Sequence, residues 1–528
     1  MTEREIKLHV PDSAKPEIAR FMRSAKARRV TLQARYFDTP ARELANAGIA
    51  LRLRKEGRRW VQTIKAPGTD ALSRIELNHL RSAPELDLAL YTGTALETFF
   101  ASLKGPLCLR YETRVTRQVL PLEVDGNAVE IAYDQGALFA GELELPISEV
   151  EFEYLSGDPA RMFTLAREWV EKYSLVLDLR SKSERGDALA NLALSTSTDA
   201  NGQTVVTTVS NPNVATLFRA RRARPVTIKA RATPTQAYLS CLNECLAQII
   251  YNTAYAAGID THNASASMHI EYTHQLRVGI RRLRSCLKLF AGLVSPLPSN
   301  DMAVLRNAFN MLGMARDGDV VALVVHPKLK LAGLPDIRMP RHSGKAPKAG
   351  VVAANPELQA TLVNLMACMV LLGDEASLPG EPTQPDLTGD APPASAAPAL
   401  ARPVLVRRLA GWLRKAGKKG SKFSDLAIEA QHDLRKDIKA LRYCLDFSES
   451  VLTKTNIGEI RKVLELVQED LGELNDLYTA ESFYEPLLAK QPQAWFAIGW
   501  LRAEQARKRM TSQALFKQLA RKGELKSR

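Results

Sequence analysis

Three absences narrow this 528-residue chain before any motif is read. It has no CxxC pair. Cys108, Cys241, Cys245, Cys286, Cys368 and Cys444 are scattered, which excludes a zinc ribbon or disulfide framework and suits a reducing compartment. It opens on Met1-Thr2-Glu3-Arg4-Glu5, without the apolar core of a secretory leader. Its longest apolar run, Ala360 to Leu372, is too short for a bilayer and is broken by Asn364. A cytoplasmic protein with no membrane partner is the expectation. Also missing are a Ser-His-Asp or Cys-His nucleophile, a helix-turn-helix and an aromatic base-stacking motif, the last two of which disfavour nucleic acid as partner.

What the chain has in excess is positive charge. Seventy-two Lys and Arg against 58 Asp and Glu give +14, a balance that favours polyanionic partners without choosing among them. The length is too great for one core. Strand-like alternation fills residues 1 to about 155, in eight segments: 3–10, 34–38, 51–54, 59–65, 73–78, 111–120, 128–133 and 147–154. A helix is expected at Pro159–Tyr173, started by Asp158-Pro159. Residues 194 to 214 are rich in Ser, Thr and Asn, with room for a local hairpin, and from about 230 the pattern turns helical. The expected division is a β-rich domain over 1–193, a linker over 194–228 and a helical domain over 229–520. The helical domain has repeats at about 229–326 and 404–515. Between them lies an insertion, 327–403, disordered over Pro379–Pro403 and holding a helix at Pro356–Leu372.

In a strand, alternate side chains share a face. Glu3, Glu5 and Lys7 share one face of the first strand, Arg52 and Arg54 one face of a middle strand, and Glu149, Glu151 and Glu153 one face of the last. Carboxylates thus dominate the terminal strands and cations the middle ones. A closed barrel would bring the first and last strands together, setting the glutamates opposite Arg52, Arg54, Lys65, Arg114 and Arg117. Packed carboxylates repel at low dielectric unless a cation stands between them, and Mg2+ or Mn2+ suits an all-oxygen set. The facing cations suit phosphate oxygens. The competing reading is an ordinary sheet with its charged face in water.

Glu3-Arg4-Glu5-Ile6-Lys7 is similar to the ExExK signature of the CYTH family, the triphosphate tunnel metalloenzymes. Tyr36-Phe37-Asp38-Thr39-Pro40, Leu51-Arg52-Leu53-Arg54, Thr63-Ile64-Lys65, Arg74-Ile75-Glu76, Thr113-Arg114 with Arg117, Glu130 with Asp134, Glu149 to Glu153 and Ser181-Lys182 follow in that family's order, over residues 1 to about 190. The resemblance implies an eight-stranded antiparallel tunnel with its charged faces inward. It implies metal ligands at Glu3, Glu5, Glu149, Glu151 and Glu153. Triphosphate would be bound by Lys7, Arg52, Arg54, Lys65, Arg74, Arg114, Arg117 and Lys182, with Glu5, Arg54, Lys65 and Glu151 central to catalysis. Asn78 stands where bacterial relatives often carry a second acid.

The helical half carries a duplication. His274, Arg277, Arg281 and Arg284 have the spacing of His432, Arg435, Lys439 and Arg442, and each set is followed by a leucine-glycine element with acids, Leu312-Gly313 to Asp319 and Leu471-Gly472 to Asp476. The offsets from His to Asp are 43 residues (274 to 317) and 44 (432 to 476). At about 100° per residue each set lies in one stripe, extended by Lys288 in the first and flanked by Lys436 in the second. One such stripe reads as a solvated face; two packed together make a basic groove, with Asp317, Asp319 and Asp476 as candidate braces. The paired motifs resemble those of CHAD domains, which implies two four-helix bundles and polyphosphate binding by these ten residues.

Together these readings predict an α+β multidomain protein that hydrolyses inorganic triphosphate with Mg2+ or Mn2+ and binds inorganic polyphosphate, with association with polyphosphate granules following. The alternatives are a hydrolase or cyclase for thiamine triphosphate, a nucleoside triphosphate or ATP, and a non-catalytic polyphosphate or nucleic-acid scaffold.

Overall fold

The structure, a computed structural model, describes residues 2–67, 72–94, 96–198, 204–208, 217–338, 347–376, 400–452 and 454–522. The expected disorder at Pro379–Pro403 falls mostly outside those residues.

Eight strands form the N-terminal barrel: β1 (Thr2–His9), β2 (Arg28–Asp38), β3 (Ala50–Glu56), β4 (Arg59–Pro67), β5 (Ser73–Arg81), β6 (Cys108–Val124), β7 (Asn127–Ala140) and β8 (Leu143–Ser156). All pairings are antiparallel, in the order β5-β4-β3-β2-β6-β7-β8-β1, and β1 closes the ring on β5. Closure depends on β1 serving two partners. Its start pairs with β5, Glu3 opposite Arg74, and its end with β8, Glu5 opposite Glu153. The β6–β7 turn is Asp125-Gly126, both at positive φ, the two-residue hairpin geometry such a pair favours.

The barrel turns its charged faces inward. Ile6, Leu8, Val150 and Phe152, the alternate residues of β1 and β8, have no exposure because helices cover the outside of the sheet. A first helix, α1 (Lys15–Ser24), buries Ile18 and Met22; α2 (Ala160–Tyr173) lies on β1 and β8 and sets Trp169 edge-on to Phe152 at 5.5 Å. Each fully buried side chain of this kind contributes about 1.5–3 kcal/mol, so the apolar outside fixes which way the glutamates must face. β9 (Val176–Leu177) adds a short pairing to β1, and α3 (Lys182–Ala193) packs on β6 to β8. The hairpin foreseen near 194–214 is present as Leu194–Thr198 paired with Thr204–Thr208.

The longer helices that follow are α4 (Pro234–Ala256), α5 (Ala266–Phe290), α6 (Ser299–Val320), α7 (Pro356–Glu375), α8 (Ala401–Gly420), α9 (Ile428–Phe447), α10 (Lys454–Tyr484) and α11 (Ala494–Lys522). Two compact units emerge. One comprises residues 1–222, 246–276 and 349–371, the other 223–245, 277–348 and 372–528. In the first, the barrel flank (Tyr36, Tyr111, Leu138, Ile147) shares a core with Phe218, Tyr255, Tyr272 and Ala353. In the second, α8 packs on α9 and α11, and α10 on α9 and α11, making a four-helix group.

α7 carries the apolar run. At 20 residues it is long and apolar enough to cross a membrane by length and composition. Leu358, Leu362, Val363, Leu365 and Met366 are nevertheless almost fully buried within the protein, and its Gln359 accepts the Leu177 amide at 2.8 Å.

Candidate functional site

A cavity of about 700 Å3 runs through the barrel, lined by side chains from β1 to β8 and the start of α3. One side carries cations. Arg52 and Arg54 come from β3 and Lys65 from β4; Arg52 donates to the Tyr36 hydroxyl at 3.3 Å, and Lys65 pairs with Glu76 at 2.9 Å. Arg54 pairs with Glu56. The Nε atoms of Arg52 and Arg54 are buried without a hydrogen-bond partner. Burial, then the neighbouring charges of Arg52 and Arg117, push Arg54 down to about 10. For Tyr36, burial opposes ionisation, but Arg52, Lys182 and Arg54 outweigh it and lower the hydroxyl.

The acidic side divides in two. At one level Glu5, Glu130 and Glu153 face each other across the β1–β8–β7 seam. Burial, then the charges of Glu5 and Glu130, push Glu153 up to about 7; Lys65 offsets this in part. At the other level Asp134, Glu149 and Glu151 each offer an oxygen within 4.8 Å of the others, close enough for one metal ion. Cations already enter that level. Lys182 Nζ lies 2.7 Å from Asp134 and 2.8 Å from Glu151, and pairs with Glu149 without hydrogen-bond geometry. Arg117 grips Asp134 through two 2.7 Å bonds and also pairs with Glu151. Burial works against ionisation of Glu151, but Lys182, Arg117 and Lys7 hold it well below the carboxylate range.

Lys182 reaches this position because Ser181 caps α3, accepting the Glu184 amide at 3.1 Å in a Ser-x-x-Glu box. A lysine in the first helical turn opposes the helix dipole; three carboxylates compensate it here. The expected separation into an acidic cluster and a basic wall is therefore only half realised. Carboxylates this buried take the nearest cations, and those are Lys182 and Arg117.

The placements of the other predicted residues follow. Glu5, Lys7, Arg52, Arg54, Lys65, Arg117, Glu151, Glu153 and Lys182 line the cavity. Glu149 lies beside it, buried, between Lys182 and Arg185. The Glu3 side chain lies outside the described residues. Arg74 is on the strand face of Glu76 and Asn78 but outside the lining, where it donates to the Ser73 carbonyl. Arg114 is corrected: its side chain is 61% exposed, pairs with Glu112 and stacks on Phe139, because it lies three residues from Arg117 and so on the other face of β6. Tyr36, Thr63, Asn78, Ser181 and Ser183 also line the cavity; the sequence singled out Asn78 and held Tyr36, Thr63 and Ser181 within motifs without assigning them a role, and Ser183 was not foreseen. Asn78 accepts from Thr63 at 2.7 Å and donates to Glu76 at 3.0 Å, so an amide here orients the acid that Lys65 uses.

The two basic stripes lie on α5 and α9. Lys288 meets Asp437 at 2.7 Å and Cys444 donates to the Ser285 carbonyl at 3.4 Å, so the stripe helices run side by side there. Equivalent arginines do equivalent things. Arg277 stacks on Phe309 at 4.5 Å against Gly313, and Arg435 donates to the Leu471 carbonyl at 3.1 Å. Each leucine-glycine element thus receives the second basic residue of its own repeat. Arg284, Lys288 and Lys436 are exposed; His274, Arg281, His432, Lys439 and Arg442 are half-buried. Burial, then Arg435 and Lys436, lower the His432 pKa. The Asp317 and Asp319 side chains lie outside the described residues.

The CYTH domain profile matches residues 1–186 and the CHAD domain profile residues 240–485. The inorganic triphosphatase of Haemophilus influenzae is 30% identical over 164 residues, 30% of this chain and 45% of that protein, so the match spans less than half of the relative's length. Among solved structures, the CHAD domain of the plant Ricinus communis aligns at 25% identity with a TM-score of 0.40, over 58% of this chain and 99% of that one. A Hippeastrum protein described as an adenylyl cyclase with a dominant triphosphatase activity aligns at 18% identity and a TM-score of 0.27, over 35% and 94%.

Proposed function

Residues 1–186 are a CYTH domain and residues 240–485 a CHAD domain, and on that premise we propose that the chain hydrolyses inorganic triphosphate to pyrophosphate and phosphate in the barrel cavity. One observation carries the reading. The same cavity holds arginines short of acceptors, Arg52 and Arg54, and carboxylates short of a cation, Glu5, Glu130 and Glu153. A triphosphate bound with a hard divalent ion satisfies both at once.

The donor set is all carboxylate, which suits Mg2+ or Mn2+. Glu5, Glu130 and Glu153, with Glu3, would hold the ion, because the Asp134–Glu149–Glu151 level is already balanced by Lys182 and Arg117. That second level becomes available wherever Lys182 turns to phosphate instead. Bound there, a divalent ion would neutralise phosphate oxygens and lower the pKa of a water. Arg52, Arg54 and Lys65 grip the phosphates from one side, Lys7, Arg117 and Lys182 from the other. Fixed cations around the terminal phosphoryl group stabilise the charge that grows on the leaving pyrophosphate. Inorganic polyphosphate is the partner proposed for the α5 and α9 stripes, and association with polyphosphate granules in the cytoplasm fits both activities.

The test is phosphate release by the full chain from inorganic triphosphate, ATP and thiamine triphosphate, with and without Mg2+ or Mn2+. Metal-dependent turnover of triphosphate above the organic substrates is the expected result, and turnover without added metal would refute the reading. For the stripes, polyphosphate and RNA compete at fixed salt; preference for RNA would overturn the polyphosphate assignment.

A further inference from the structure

The helical stretch matched as CHAD sends one acid into the barrel's charge network. Asp260, in the turn between α4 and α5, is buried with a side chain only 4% exposed. It accepts two 2.9 Å bonds from Arg185 and lies 3.0 Å from Arg180. Arg180 is sandwiched between Phe218 and Tyr255 at 4.8 and 4.9 Å and grips Asp178 in a bidentate pair. Arg185 also donates to the Pro146 carbonyl at 2.6 Å and to Glu149 at 3.4 Å. Glu149 in turn pairs with Lys182, which lines the cavity. Charges alternate along the chain Asp260, Arg185, Glu149, Lys182. The turn that delivers Asp260 holds it at φ 59, a left-handed conformation that costs a non-glycine residue energy unless its surroundings enforce it.

The distances along this chain are unequal. Arg185 sits at 2.9 Å from Asp260 and at 3.4 Å from Glu149, so Asp260 holds most of its guanidinium. What Arg185 does not take from Glu149 remains for Lys182. We propose that Asp260 is a positioning residue for the triphosphate site: by drawing Arg185 away from Glu149, it leaves Glu149 to restrain Lys182, and so sets how freely that ammonium meets phosphate. This rests on the triphosphatase reading of the cavity.

The proposal fixes the signs of two substitutions. In Asp260→Asn, Arg185 turns fully to Glu149, Lys182 is restrained less, and the anion site gains positive charge. In Arg185→Gln, Glu149 is left wholly to Lys182 and the site loses positive charge. Binding of inorganic tripolyphosphate to the full-length chain, without divalent cation, is read by titration calorimetry, with melting temperatures in parallel. Asp260→Asn is expected to tighten binding several-fold and Arg185→Gln to weaken it several-fold. In a Lys182→Met background both effects should vanish, since the paired residues are coupled.

A merely structural role lowers melting temperature in both variants and moves affinity in one direction, or not at all. Equal affinities for parent and variants, shifts of the same sign, or shifts that persist without Lys182 overturn the proposal. If Asp260→Asn does not fold, Asp260→Glu and Arg185→Gln still give the comparison, the longer acid being expected to keep parental affinity. A parent that binds tripolyphosphate and never hydrolyses it counts against the hydrolase reading alone.

Discussion

Glu5 and Glu153 stand directly opposite each other where β1 meets β8. Two half-buried acids so placed cannot both ionise cheaply, and Glu153 shows it, raised from an ordinary 4.5 to about 7. The folded chain therefore keeps a proton on Glu153 that the unfolded chain has lost between those two values. Without metal, this group's contribution to stability falls as pH rises through that window and is flat above it. Glu153→Gln removes the titration. Its melting temperature relative to the parent should rise from about pH 5 to about pH 8, while metal-dependent triphosphate hydrolysis is lost. A constant difference across that range would place the raised pKa elsewhere.

Arg54 is crowded by cations and its Nε lacks an acceptor. Its removal should relieve the resting protein and damage the reaction. Arg54→Ala is expected to lower metal-dependent phosphate release from triphosphate by at least about 100-fold, with no loss of melting temperature. Near-parental turnover would remove Arg54 from the site.

Arg117 and Arg114 make a paired test on one strand. Arg117→Met leaves Asp134, which has no exposed side-chain surface, and Glu151 without their shared guanidinium. Breaking a buried pair from one side costs about 3–5 kcal/mol. Arg114→Met removes an exposed side chain and should change stability by less than about 0.5 kcal/mol, leaving turnover at the parental level. Urea denaturation and phosphate release measure both.

Those two arginines also show what the sequence could tell. Strand alternation was enough to find eight strands and to put Glu5 with Lys7 and Arg52 with Arg54. The same parity separates positions 114 and 117, so spacing alone puts one of the two outside the cavity, and the structure shows that it is Arg114. Barrel closure through β1 and β5 was not, since neither strand's pattern names its partner. Nor was the intrusion of Lys182 among Asp134, Glu149 and Glu151, although the Ser181-x-x-Glu184 box marked where its helix begins. Asp260 lies 75 residues from Arg185, and a lone aspartate in a helix-to-helix turn carries no local sign of such a partner.

The leucine-glycine elements yield the last prediction. In a helix interior, glycine is less stable than alanine by about 0.5–1 kcal/mol, so Gly313 and Gly472 call for a reason. At Gly472 an added methyl meets nothing within 4 Å; at Gly313 it would lie 2.3 Å from Arg277 Nη1. Gly472→Ala should therefore stabilise the chain by about 0.5–1 kcal/mol and leave polyphosphate binding unchanged. Gly313→Ala must push the Arg277 guanidinium off Phe309 and out of its stripe. The expected result is weaker polyphosphate binding, with the salt dependence reduced by about one phosphate contact. Filter binding across a salt series, alongside thermal melts, separates the two. If Gly313→Ala behaves like Gly472→Ala, then Arg277 takes no part in holding the polymer.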